Sequence, residues 1–240
     1  MAALELSATP LYSDPALTHY WKLENLNATI GGVTLSNPTG KSFVAALFNN
    51  GIDMGSSVRN TLELNSSTVV FPTSVSAAYT VSLWFKMNLA LSAGNVNPGL
   101  FMGSNANATG YGLAIIPEWN GGSPRIQVKR RTSSDANDHI AFGNDTTNWH
   151  NVIHTYNGTN IINYLDGVAF SAGVANSGSF NSSAYPKISI GGSYFSNNAT
   201  AIIDDVWIMT RAITAAEALS VYDGNFGGII KPNFKGFARL

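Results

Sequence analysis

Residues 149–167 read Trp149-His150-Asn151-Val152-Ile153-His154-Thr155-Tyr156-Asn157-Gly158-Thr159-Asn160-Ile161-Ile162-Asn163-Tyr164-Leu165-Asp166-Gly167. Large apolar or aromatic side chains recur at period two, with Val152, His154 and Tyr156 on one face of the first half. That is the period of a strand and not of a helix. Asn157-Gly158 closes the first half and Asp166-Gly167 the second. Both dipeptides favour the left-handed backbone of tight turns, so the stretch predicts a hairpin feeding a second turn.

The same alternation extends through the chain. Tyr79, Val81, Leu83 and Phe85 alternate with Thr80, Ser82, Trp84 and Lys86, a strand whose first set faces a core. Further strands are expected at Leu100 to Met102, Tyr111 to Ile116, Arg125 to Lys129 and His139 to Phe142. Turn chemistry fills 95–99, 105–110, 118–124 and 132–138. Short strands at this spacing, with no internal repeat, predict two opposed antiparallel sheets.

Composition narrows the class. At 240 residues with no linker-like break, one sandwich domain over 17–224 is expected, with an N-terminal extension at 1–16 and a tail at 225–240. Lys and Arg number 13 against 14 Asp and Glu, and a net charge of -1 argues against nucleic-acid binding, which neutralises many phosphates. The absence of Cys excludes disulfides, thiolate metal sites and cysteine nucleophiles. No stretch is apolar enough for membrane insertion, and Met1-Ala2-Ala3-Leu4-Glu5-Leu6-Ser7 lacks the basic and apolar segments of a secretion signal. Asn-x-Ser/Thr sites at Asn27, Asn65, Asn107, Asn144, Asn157, Asn181 and Asn198 then count as products of composition.

Several motifs, in order, resemble one family. Trp149-His150 at the head of a strand, Tyr156-Asn157-Gly158 at its end and Tyr164-Leu165-Asp166-Gly167 closing its partner resemble the laminin-G-like, concanavalin A-like lectin-glucanase superfamily. His19-Tyr20-Trp21-Lys22-Leu23-Glu24 is similar to the family's opening strand, and Gly40-Lys41 through Leu47-Phe48-Asn49-Asn50-Gly51 to its second. Tyr79 to Lys86, Ile188-Ser189-Ile190-Gly191-Gly192, and Ile203-Asp204-Asp205-Val206-Trp207-Ile208 with Arg211 to Glu217 follow in the expected order. The resemblance spans roughly residues 17 to 224. It implies an all-β, two-sheet antiparallel jelly-roll sandwich with one short C-terminal helix. The superfamily includes lectins, adhesion modules, glycosidases and virion proteins, those of bacteriophages among them, so the fold is specified better than the task.

Thr214-Ala215-Ala216-Glu217 is a capping box, predicting a helix of about ten residues ended near Gly224 and docked through Leu219 and Tyr222. Beyond it, Phe226, Ile229, Ile230, Phe234 and Phe237 make the tail too apolar for a solvated linker. It either returns across its own sandwich or binds a neighbouring subunit of a homo-oligomer.

The absences argue against catalysis. No Glu-x-Asp-x-x-Glu strand places two carboxylates across a glycosidic bond, and Glu24, Glu63, Glu118 and Glu217 are scattered. His19, His139, His150 and His154 have no nucleophile elbow and no zinc-helix pattern to serve. His150 and His154 share a strand face, but a common ion lacks a third ligand, and imidazoles bonded across the sheet are the simpler reading.

Asp204 and Asp205 lie consecutively in an otherwise apolar strand, so at least one carboxylate is expected to be partly buried and in need of a partner. The resemblance implies that Asp204 helps hold a structural calcium. The alternative is pairing with Arg211 or acceptance of loop amides.

For glycan recognition, an exposed aromatic edged by amides is the expected platform, because sugars offer apolar ring faces rimmed by hydroxyls. Trp119 and Asn120, in what reads as a loop, fit that description, with Tyr111, Tyr194 and Asn197 as a neighbouring rim; a loop staple is the plain alternative for Trp119. Trp21, Trp84, Trp149 and Trp207 read as core or cover. Arg125, Lys129, Arg130 and Arg131 form a basic cluster that suits a polyanion or an acidic partner subunit, or else a solvated edge strand. The expected function is non-catalytic recognition or structure in a virion or other extracellular assembly, with a surface glycan or other subunits as partner; the alternative is a free carbohydrate-binding lectin.

Overall fold

The computed structural model describes residues 11–37, 40–55, 62–65, 77–92, 99–104, 111–131, 135–176, 187–191 and 201–224. They form two antiparallel sheets and one C-terminal helix. The larger sheet contains β1 (Leu17–Trp21), β2 (Ser42–Ala46), β3 (Asn49–Asp53), β5 (Tyr79–Met87), β10 (His150–Tyr156), β11 (Asn160–Leu165), β12 (Val168–Ala169), β13 (Val174–Ala175) and β15 (Ala201–Met209). The smaller contains β4 (Leu62–Asn65), β6 (Phe101–Ser104), β7 (Tyr111–Asn120), β8 (Ser123–Arg131), β9 (Asp135–Ala141) and β14 (Lys187–Ile190). In the larger sheet the order is β12-β11-β10-β5-β15-β3-β2, with β1 also on β15 and β13 on β11; in the smaller it is β4-β14-β6-β7-β8-β9.

The period-two reading of β5 and β10 is met in detail. Tyr79, Val81, Leu83 and Phe85 join Val152 and Tyr156 in the core between the sheets, beside Ile126 and Val128 of β8 and Leu113 and Ile115 of β7. Each such side chain contributes about 1.5–3 kcal/mol on burial. Leu165 pairs with Val168 across Asp166-Gly167, both in left-handed backbone (φ 52 and 75), as a two-residue primed turn requires. Asn157 closes the preceding turn by accepting the amides of Thr159 and Asn160 on its Oδ1.

The opposite face of the larger sheet is covered as well. Tyr20, Ile153, Trp207 and Met209 pack there against Leu11, Ile213, Ala218 and Val221. Leu11 lies in a short 3-10 turn (Leu11–Ser13), so the end of the N-terminal extension is part of this layer. The helix α1 spans Ala215–Tyr222 with both halves of the capping box formed at Thr214 and Glu217, and Gly224 follows at φ 81. It docks through Ala218 and Val221, which are buried, together with the half-buried Leu219 and Tyr222 of the expected contact. Tyr222 stacks on Trp84 at 5.9 Å, and Leu219 sits against Gly167. Trp21, Trp84 and Trp207 are buried as expected, whereas Trp149 just precedes β10 and is half-buried.

At its middle β15 changes partner. Ile202 and Ile203 pair with β3, whereas Val206 to Met209 pair with β1, and the register against β5 shifts between Asp204 and Trp207. Asp205 at the shift has φ 46. The buried Asp204 carboxylate accepts the amide of Phe48 on Oδ2 and that of Asp205 on Oδ1, at 2.9 Å each. Asp205 accepts the Tyr20 hydroxyl at 2.7 Å. Burial, reinforced by the Asp205 charge, pushes the Tyr20 hydroxyl far above its ordinary range, so it stays a donor. The pairing with Arg211 is not made: Arg211 binds Asp14 and Glu217, each at 2.6 Å.

Tyr20→Phe removes one donor from a buried carboxylate while keeping the ring, and should cost about 1–3 kcal/mol. The urea midpoint measures it; a midpoint equal to that of the parent would refute the role given to this bond.

Candidate functional site

Alternation along β8 sorts the basic cluster. Ile126, Val128 and Arg130 point into the sandwich, while Arg125, Gln127, Lys129 and Arg131 lie on the outer face of the smaller sheet, spaced about 6.8 Å apart. β8 is not an edge strand, since β7 and β9 flank it. Arg125 is paired with Glu118 of β7 at 2.6 Å. Cross-strand register places Ile116 and His139 beside Gln127, and Ala114 and Asn137 beside Lys129. Met102, Ala114 and Ile116 form a small buried apolar cluster on this face, separate from the main core. Gln127 is 7% exposed, and its Oε1 is buried with no hydrogen-bond partner among the described residues. A buried carbonyl oxygen without a donor calls for an explanation, as does Asn151 Oδ1 in the larger sheet.

Arg130 belongs elsewhere, and sequence reasoning misplaced it with its neighbours. It is 1% exposed, its guanidinium lies 3.8 Å from the centre of the Tyr156 ring, and its Nη1 donates to Asn176 Oδ1. It sits beside a buried polar chain that joins the sheets. Asn163 donates to Asp138 at 2.9 Å, so its Oδ1 is the acceptor for His154 Nδ1 at 2.7 Å; His154 Nε2 then accepts the Tyr79 hydroxyl at 3.0 Å. Burial above all, and then the Arg130 charge, hold the His154 imidazole down to about 4, while burial pushes the Tyr79 hydroxyl up to about 12. His154 is therefore neutral and its bonds are internal. His150 has a partner of its own, its Nδ1 lying 2.7 Å from Asp166 Oδ2.

The glycan candidates are dispersed. Trp119 and Asn120 are the last residues of β7, not a loop; only Gly121 and Gly122 turn the chain, at φ 58 and 103, into β8. Trp119 is half-buried and packs against the main core, closing its end, and Asn120 is exposed at the tip. Tyr111 begins β7, with its side chain outside the described set; Tyr194, Asn197 and the tail residues Phe226, Ile229, Ile230, Phe234 and Phe237 also lie outside the described residues.

Asp204 does not suit a calcium ion. Both its oxygens face backbone N–H donors, and no cluster of three or more His, Asp or Glu side chains able to hold a metal occurs among the described residues. Calcium needs six to eight oxygens. No helix among the described residues is long and apolar enough to cross a membrane.

Sequence reasoning did not bring Gln127, Asn137 and His139 together on one face with Lys129 and Arg131. The signal was present in the strict alternation of β8, which separates Gln127 from Ile126 and Val128; what hid it was reading the basic residues as a cluster in sequence rather than by face.

Comparison with known proteins supplies the family. The family model for the concanavalin A-like lectin/glucanases superfamily matches residues 56–218. No curated protein sequence matches the chain. Among solved structures, the binding domain of botulinum neurotoxin serotype G superposes with a TM-score of 0.68 at 14% identity, over 87% of this chain and 50% of that one. A botulinum neurotoxin type C structure, described as interacting with two ganglioside molecules, gives 0.66 at 14% over 87% and 51%. Domain 4 of AbnA, an extracellular arabinanase of Geobacillus stearothermophilus, in complex with arabinotriose, gives 0.64 at 15% over 86% and 98%. The chain thus spans about half the length of the toxin binding domains and nearly all of the arabinanase domain.

Two outcomes follow. The unfolded His154 takes up its proton near 6.5 and the folded one only near 4, so as pH falls the unfolded state binds first. Stability from this group is whole above 6.5 and drains between 6.5 and 4. The thermal midpoint should fall across that window, and a His154→Gln variant should show a flatter profile there; equal slopes would refute the assignment. Second, EDTA should leave the thermal midpoint unchanged, as a carboxylate held by amides requires; a drop would place calcium back at Asp204.

Proposed function

We propose that this chain, which belongs to the concanavalin A-like lectin/glucanases superfamily, is a non-catalytic recognition module that takes a carbohydrate chain on the outer face of its smaller sheet. The observation that carries the reading is the buried Gln127 Oε1, which has no partner among the described residues, beside the exposed Asn137 and His139. A sugar hydroxyl is a donor of the right kind for that oxygen. Asn137 and His139 add exposed polar groups, and Lys129 and Arg131 supply positive charge for acidic sugars.

The similar structures support this reading. One is a complex with arabinotriose, and cell entry of another depends on interaction with two ganglioside molecules. Catalysis draws no support from the described residues, where Glu118 is paired with Arg125 and Glu217 with Arg211 and Thr214. The site faces an extracellular or surface setting, where such glycans occur.

A second reading, a subunit of a virion or other extracellular assembly, is favoured by the apolar sequence of the tail from Phe226 to Phe237. Removing residues 227–240 and weighing the particle by light scattering tests it: a drop in oligomer mass supports attachment through the tail, and an unchanged mass rejects it.

A glycan array followed by calorimetry on the strongest ligand tests the first reading. Gln127→Leu and Lys129→Ala should each weaken binding about tenfold, close to the value of one hydrogen bond to a charged or buried group. Trp119→Ala should change affinity less, since that ring closes the core. Binding by both variants at parental strength would overturn the placement of the site.

A further inference from the structure

The chain holds three Asn-Gly pairs, at Asn50-Gly51, Asn120-Gly121 and Asn157-Gly158. Their environments differ sharply, and we infer that Asn120 is a site of spontaneous backbone modification by deamidation while the other two are protected by the fold.

The chemistry needs only water. The backbone nitrogen of the following residue, after losing its proton, attacks the side-chain Cγ of asparagine. An N–Cγ bond forms, the Cγ–Nδ2 bond breaks, and the nitrogen leaves as ammonia carrying the proton. The five-membered imide then adds one water at either carbonyl. Opening one way gives aspartate; opening the other gives isoaspartate, with the main chain rerouted through Cγ. Glycine in second place favours the attack because no Cβ shields its nitrogen. The remaining requirement is freedom: the asparagine side chain must swing to its neighbour's nitrogen, and the backbone between them must leave its native torsion.

Asn50 and Gly51 lack that freedom. They sit in β3 between β2 and β15, Gly51 pairs with Val44, and the carbonyl oxygen of Ile203 lies 2.6 Å from where a Cβ on Gly51 would stand. Moving this backbone disturbs three strands. Asn157 is exposed, but its Oδ1 accepts the Thr159 amide, the Thr159 hydroxyl and the Asn160 amide, and its own amide donates to the Asn160 carbonyl. Rotating that side chain breaks three hydrogen bonds together.

Asn120 has neither restraint. It is exposed, its side chain makes no hydrogen bond among the described residues, and it ends β7 at the tip of the β7–β8 hairpin. Gly121 and Gly122 are exposed, with no atom within 4 Å of a Cβ position on either. Local opening at such a tip costs far less than opening at a strand between two partners. The product carries a new carboxylate, and in the iso form an extra backbone methylene, where a two-residue primed turn sets the register of the hairpin.

Tryptic mapping of the whole protein after incubation at neutral and mildly alkaline pH tests this, since cleavage at Lys41, Arg59, Lys86, Arg125, Arg131 and Lys187 puts the three pairs in separate peptides. Asn120 should convert on the order of tenfold faster than Asn50 or Asn157, giving aspartate and isoaspartate together. In urea, where no fold protects any pair, the three rates should converge. Native conversion of Asn50 or Asn157 as fast as Asn120, or a difference in rate that persists in urea, would overturn the inference. An Asn120→Gln variant, free of the reactive pair, should lose the modified peptide altogether.

Discussion

One strand carries two neighbours on the same edge, and two adjacent carboxylates make that possible. β15 is bordered on one side by β5 along most of its length, but on the other by β3 and then by β1. A regular strand cannot hand its hydrogen bonds from one partner to another without an irregularity, and the register shift at Asp204-Asp205, with Asp205 in left-handed backbone, supplies it. Asp204 ties the strand to the turn before β3 through Phe48, and Asp205 ties it to β1 through Tyr20. Burying two negative charges is costly unless each is hydrogen-bonded. Here the bonds that offset the cost also fix where the partners change. An apolar pair at these positions would remove the desolvation and with it the register.

The layer above that strand is built on the same logic. Leu11, Ile213 and Val221 pack against Leu17 and Trp207 of the larger sheet, and Arg211 links Asp14 to Glu217 at the rim. Glu217 serves both the helix cap and the ion pair, so the start of α1 and the N-terminal turn are held by one side chain. Its carboxyl lies below its usual range because the Arg211 and Thr214 bonds outweigh the opposing effect of burial. With the helix and the N-terminal turn on one face and the sandwich core on the other, the central strands of the larger sheet are enclosed on both sides.

How far the sequence revealed this depends on the kind of signal. The inward faces of β5 and β10 followed from alternation alone, and the capping box announced α1, because each rests on contacts local in sequence. The extents of β7 and β8 did not: Trp119 and Asn120 looked like loop residues, since Gly121-Gly122 reads as a break whose width sequence leaves open, whereas the primed turn needs only those two positions. Arg130 was grouped with basic neighbours because charge was weighed before period; its place in the interior depends on Tyr156, Asn176 and Tyr79, which lie far away in the chain. The same holds for Asp138 and Asn163. Nothing local distinguishes a carboxylate bound to Asn163 from one facing water. Asp204 was recognised as buried, but its donors come from residue 48 and from its own successor, and only the folded register brings the first within reach.

The buried polar chain gives the two sheets different duties. Arg130 and Asp138 project inward from β8 and β9 to meet Tyr156, His154 and Asn163 on β10 and β11, so polar contacts with fixed directions act where two apolar surfaces could otherwise slide. Directional bonds of this kind select one stacking of the sheets from several of similar apolar area. Alternation then obliges Arg125, Gln127, Lys129 and Arg131 to face outward on the same strand, since a strand that sends Arg130 inward must send its neighbours the other way. On the outer face of the smaller sheet, β8 consequently contributes polar side chains as a result of the constraint that fixes the core, beside the apolar Met102, Ala114 and Ile116 of its neighbours. The larger sheet, covered by α1 and the N-terminal turn, has no comparable face among the described residues. Of the two sheets, the smaller is the one whose outer face is packed by neither α1 nor the N-terminal turn among the described residues.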